Sequence, residues 1–79
     1  MRVIDLPLGE NAPQEADRII ISSLTSGEFQ LDGVVTRGGV VTFFAGPGRF
    51  ASVEEAAAAG VLWAAENGAE LVFIERPAA

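Results

Sequence analysis

Ser52-Val53-Glu54-Glu55-Ala56-Ala57-Ala58-Ala59-Gly60-Val61-Leu62-Trp63-Ala64-Ala65-Glu66-Asn67-Gly68 is the stretch that decides the fold. Ser52 followed three residues later by Glu55 matches a capping box, in which the hydroxyl accepts from the first turn and the Glu reaches back. Glu54 and Glu55 sit well against the positive end of a helix dipole. Asn67-Gly68 stops the run, because glycine adopts the left-handed conformation that closes a helix. The pattern predicts a helix over Val53–Asn67.

On a helical wheel, Val53, Ala57, Gly60, Val61 and Ala64 form a narrow stripe of small residues with Trp63 at its margin. Such a stripe lets a helix sit close to a sheet. Centring the core instead on Ala58, Val61, Leu62 and Ala65 pushes Trp63 outward. Leu62 and Trp63 point about 100° apart, so one large apolar side chain is left at the margin or outside in either arrangement.

Upstream of the helix, Val40–Ala45 and Glu28–Arg37 are extended stretches. Arg37-Gly38-Gly39-Val40 lies between them, and a Gly-Gly pair supplies the positive φ angles of a two-residue hairpin. That turn pairs Arg37 with Val40, Val35 with Thr42, and Gly33 with Phe44. An aromatic ring opposite a bare glycine can cover its backbone. Asp32-Gly33 is a competing turn that would split residues 28–37 into two short strands. Arg18–Thr25 carries Ile19, Ile20 and Ile21, a β-branched run that favours a strand. Arg2–Leu6 alternates loosely as a first strand, and Leu8–Ala16 reads as a loop with one helical turn at Pro13–Asp17. Downstream, Leu71–Glu75 is the final strand. The expected architecture is one α+β domain over residues 1–79. It has a mostly antiparallel sheet of three to five strands, in β-βββ-α-β order, with the helix on one face.

Apolar residues occupy both faces of these strands. Val41 and Phe43 share one side, Phe29, Leu31, Val35 and Phe44 the other, and Leu71 and Phe73 oppose Val72 and Ile74. A sheet with one wet face alternates apolar and polar, and a single helix covers a single face. Three explanations for the second face follow: a cover by the N-terminal Leu6-Pro7-Leu8, a cover by another copy of the chain, or an apolar pocket for a small molecule. A large exposed apolar patch marks a contact surface, so a homo-oligomer, most simply a dimer, is expected. Phe44, Phe50, Leu62 and Trp63 are the candidate interface residues.

The chain has 79 residues, half of them hydrophobic, and a net charge of −6 from eleven carboxylates and five arginines. The acidic balance disfavours nucleic acid as a partner. Lys, His, Cys and Tyr are absent, which removes imidazole bases, thiolate nucleophiles, Schiff-base amines and phenols together. With no D-x-D-x-D-G loop, no metal site is expected, and no cofactor or catalytic residue stands out. Gly46-Pro47-Gly48-Arg49, with Ser52 at the helix start, could form an anion nest from backbone N–H groups and the guanidinium. The spacing is wrong for a Walker-type loop, and Lys is missing. Met1–Glu10 lacks the apolar core of a signal peptide. No apolar run approaches the ~18 residues of a membrane span, so no membrane association and a cytoplasmic location are expected. Arginine as the sole basic residue and abundant alanine suggest a GC-rich bacterial gene. The leading functional expectation is a non-enzymatic interaction or assembly module. Alternatives are a small-ligand or anion-binding protein using Gly46, Gly48, Arg49 and Ser52, and an acidic inhibitor or nucleic-acid mimic.

Overall fold

The computed structural model describes residues 1–46 and 48–77. The elements are β1 (Arg2–Asp5), β2 (Arg18–Ser23), β3 (Phe29–Arg37), β4 (Val40–Ala45), α1 (Val53–Glu66) and β5 (Leu71–Glu75). All five strands form one sheet in the order β1-β5-β2-β3-β4, with the helix packed on one face.

The expectation of a mostly antiparallel sheet is corrected here. β2, β3 and β4 are antiparallel neighbours, but β5 lies between β1 and β2 and runs parallel to both. The strands therefore do not lie in the sheet as they follow one another in the chain. The physical reason is the crossover. The helix carries the chain back along the sheet, so the next strand starts from the same end as β4 and runs in the same direction. The loop from residue 6 to residue 17 likewise carries β1 past the slot that β5 fills. The unbroken apolar run Leu71-Val72-Phe73-Ile74 suits a strand flanked by parallel neighbours.

Local chemistry sets the hairpin. Gly38 and Gly39 both take positive φ, 55° and 81°, and the register is Arg37↔Val40, Val35↔Thr42, Gly33↔Phe44. Asp32-Gly33 stays inside β3 and makes no turn.

Ser52 caps the helix: its hydroxyl accepts from the Glu55 N–H at 3.1 Å. At the other end, the Ala69 N–H donates to the Ala64 carbonyl (3.0 Å) and the Gly68 N–H to the Ala65 carbonyl (3.1 Å), with Gly68 at φ +83°. This double closure satisfies carbonyls that the helix leaves unpaired. Ser52→Ala is expected to cost about 1 kcal/mol, read as a lower urea midpoint with an unchanged slope.

The core lies between helix and sheet. Ile19, Ile21, Leu31, Val35, Val72 and Ile74 are buried beneath Ala56 and Ala64. The contacting stripe is Ala56, Gly60 and Ala64, close to the first of the two expected faces, and Leu62 stays 62% exposed. Gly60 is where the helix touches the sheet: a Cβ there would lie 2.6 Å from Ile19 Cδ1 and 3.0 Å from Leu31 Cδ1. Trp63 lies over Gly33, where a Cβ would come within 2.5 Å of its ring. Phe44 stacks on the same indole, with centroids 4.8 Å apart and planes 22° from parallel.

The edge strand β1 is fastened by charge. Arg76 donates from Nε and Nη2 to the two Asp5 carboxylate oxygens, each at 2.6 Å. These hydrogen bonds hold the Asp5 carboxyl below its ordinary value, against the opposing pull of desolvation. A depressed folded-state pKa gives stability that is present above the ordinary aspartate value of about 3.9 and is lost as pH falls through the folded value. The stability difference between the parent and Asp5→Asn is expected to be constant near neutrality. It should vanish in acid, as followed by urea unfolding across pH, and shrink with added salt, because the pair is exposed.

Candidate functional site

The second face of the sheet is covered in part. The Ala12 N–H donates to Glu75 Oε2 at 2.9 Å. Arg18 Nη1 donates to the Gln14 and Ala16 carbonyls at 3.1 and 3.2 Å. Arg18 Nε also faces Glu75 Oε2 at 3.6 Å. Residues 12–16 thus strap the face above β5 and β2. The expected cover, Leu6-Pro7-Leu8, does not perform this role: Leu8 is exposed, and the Leu6 N–H continues the β1 pairing by donating to the Ile74 carbonyl.

The strap stops short of β4. Between them runs a groove of about 530 Å³, lined by Gln14, Ala16, Arg18, Val34, Val41 and Phe43 among others. On its β4 wall Phe43 is 76% exposed and Val41 48%, and Val40 on the opposite face of the strand is 67% exposed. β4 is an outer strand, so one side of its backbone lacks a partner among the described residues.

Which groups are free follows from the pairing. The Gly46 N–H donates to the Leu31 carbonyl at 2.8 Å, and Val40 opposes Arg37 across a two-residue turn. Antiparallel bonding alternates along a strand. Val40, Thr42 and Phe44 therefore bond inward to β3, while the N–H and C=O groups of Val41, Phe43 and Ala45 point out from the sheet. No residue from Val40 to Gly48 is charged. The opposite edge differs: β1 has four residues, Arg2 and Asp5 among them. Charge and brevity are usual protections of an edge strand, and the six-residue, charge-free β4 has neither.

The interface residues named from the sequence are distributed unevenly. Phe44 and Trp63 come together, as the half-buried stack over Gly33. Phe50 exchanges two backbone hydrogen bonds with Phe29 (2.8 and 2.9 Å), extending the β3 ladder beyond the end of β4. Leu62 stands alone on the outer helix surface. Val40, Val41 and Phe43 were not singled out. Their signal was present in the charge-free run Val40–Ala45, but nothing local says that this strand is an edge.

The anion-nest residues have other work. The Gly46 N–H bonds Leu31, the Ser52 hydroxyl caps the helix, and Arg49 Nη1 lies 3.6 Å from Glu28 Oε1. Gly48 takes φ +91°, and Pro47 lies outside the described residues. Among the described residues, no group of three or more carboxylates is placed to hold a metal ion, and no buried side-chain polar atom lacks a partner. Among the described residues, no helix is long and apolar enough to cross a membrane. Compared with protein-family models, curated proteins and solved structures, the chain matches none of them.

Proposed function

We propose that this chain is a non-enzymatic interaction module that works by associating with further copies of itself. The observation that carries the reading is the uncovered apolar strand β4. Val40, Val41 and Phe43 are largely in water on an edge whose backbone bonds are open. Burial of apolar surface drives most association, at about 25 cal/mol per Å² removed from water, and an exposed edge invites another strand. The residue types suited to acid–base and nucleophilic chemistry at neutral pH are scarce in the chain, which favours binding over catalysis.

Sedimentation velocity at about 10 to 500 µM tests the reading, a range chosen because small interfaces are weak. The parent is expected to move from the 8.2 kDa species toward a heavier one as concentration rises. Phe43→Ser should stay folded, because an exposed position tolerates substitution within about 0.5 kcal/mol, and should remain light throughout. A parent that stays light at the highest concentration would remove the proposal.

A further inference from the structure

We infer that the partner on this edge is a second β4 strand, paired antiparallel about a twofold axis through Phe43, so that two five-stranded sheets join into one of ten. This rests on the self-association reading and specifies its geometry.

Two observations select the occupant, and a third sets the strength of the contact. The first is the outward set of backbone groups. Antiparallel pairing of identical strands places the twofold axis perpendicular to the sheet. Each face then continues into the same face of the other copy, so opposed residues share a side. The hydrogen-bonding residues on the free side are Val41, Phe43 and Ala45, as the Gly46–Leu31 bond and the hairpin register require. Centring on Phe43 uses all three: Phe43 faces Phe43 of the other copy, and Val41 faces its Ala45.

The second observation is the side-chain rows this creates. On the strapped face, Val41, Phe43 and Ala45 of each copy form one apolar row, and the exposed Phe43 ring gains a cross-strand aromatic neighbour. On the helix face, Thr42 lies opposite Phe44, whose ring is already held by Trp63. Val40 lies opposite Gly46, which offers no side chain to obstruct it.

The third is charge. Two copies each carrying −6 repel, and β4 is a six-residue strand that brings no carboxylate of its own to the contact. The hydrogen-bonded edge from Val41 to Ala45 is about 17 Å long. It removes less from water than the roughly 800 Å² per partner of a standard interface. The dimer is therefore weak and reversible, and added salt tightens it by screening the net repulsion.

Amide hydrogen exchange on the parent chain, compared at about 20 µM and 1 mM to bracket a weak interface, reads the pairing directly. The amides of Val41, Phe43 and Ala45 should gain protection with concentration. Those of Val40, Thr42 and Phe44 should be protected at both. The register is read separately. The chain has no cysteine, so in Val41→Cys/Ala45→Cys any disulfide is engineered. The two positions are about 14 Å apart within one strand and cannot close on each other, whereas facing residues in two copies are about 5.5 Å apart at Cα, within disulfide reach. Mild oxidation should give a covalent dimer whose peptide map joins position 41 to position 45.

A dimer in sedimentation whose β4 amides exchange unchanged would overturn the edge pairing and leave self-association standing. Protected amides with a map that joins 41 to 41 or 45 to 45, or with no cross-link, would overturn the Phe43-centred register. A chain that is monomeric at 1 mM would overturn both this inference and the reading beneath it.

Discussion

Trp63→Ala is expected to destabilise the fold by about 3 kcal/mol, the low end of the range for truncating a buried tryptophan, because Trp63 is half-buried. The indole fills the space that Gly33 leaves, at a distance no Cβ could tolerate, and gives Phe44 its stacking surface. Removing it leaves the middle of β3 uncovered and the Phe44 ring unsupported. For a chain of this length the total stability is about 4–12 kcal/mol, so the loss is a large share of it. In calorimetry it corresponds to a midpoint about 12–24 °C lower. The local cause is open to a double-mutant cycle. Gly33→Ala alone should destabilise, since its Cβ would meet Trp63 Cζ3 at 2.5 Å. In the Trp63→Ala background that collision is gone, and Gly33→Ala should be neutral or stabilising. Additive effects would mean that the two positions do not touch.

Gly60→Leu is expected to cost about 3 kcal/mol, the upper part of the range for overpacking. The first added carbon already lies 2.6 Å from Ile19 Cδ1 and 3.0 Å from Ile19 Cγ2. Ile19 and Leu31 are themselves fully buried, so neither side chain can swing into solvent. The helix must lift, and lifting it opens the contacts of Ala56 and Ala64 as well. Gly60→Ala should fall between, because glycine is about 1 kcal/mol worse than alanine in a helix interior and that gain partly offsets the clash. Urea unfolding separates the parent and the two variants. A Gly60→Leu chain as stable as the parent would mean that Gly60 does not face the sheet.

These two positions also show what could be read from residues alone. Gly60 within a stripe of small residues announced a close helix, and the capped ends announced its limits, because both signals are local. The Gly38-Gly39 turn set the β3–β4 register for the same reason. The stacking of Phe44 and Trp63 over one glycine was half legible: the hairpin register placed Phe44 opposite Gly33, but the helix position that delivers Trp63 there depends on packing. β5 between β1 and β2 was not legible, since those pairings join residues more than fifty positions apart through two crossovers. The strap over the second face was read a few residues too early. Leu6 and Leu8 drew attention by hydrophobicity, whereas the segment that binds is 12–16, held through backbone groups and the Arg18–Glu75 pair. Phe43 was not legible as a contact residue, because its exposure follows from β4 being outermost, a property of the whole sheet order.

Small-angle X-ray scattering across a concentration series tests most directly whether the β4 edge joins two copies. A single copy has a Cα radius of gyration of 11.7 Å. Edge pairing separates the two centres by five strand spacings, about 24 Å, and raises the radius to about 17 Å. Stacking of the two copies face to face with centres about 10 Å apart gives about 13 Å. The account predicts that forward scattering rises toward twice 8.2 kDa, with the radius approaching the larger value. A mass and radius that stay at the single-copy values over the whole series would contradict it.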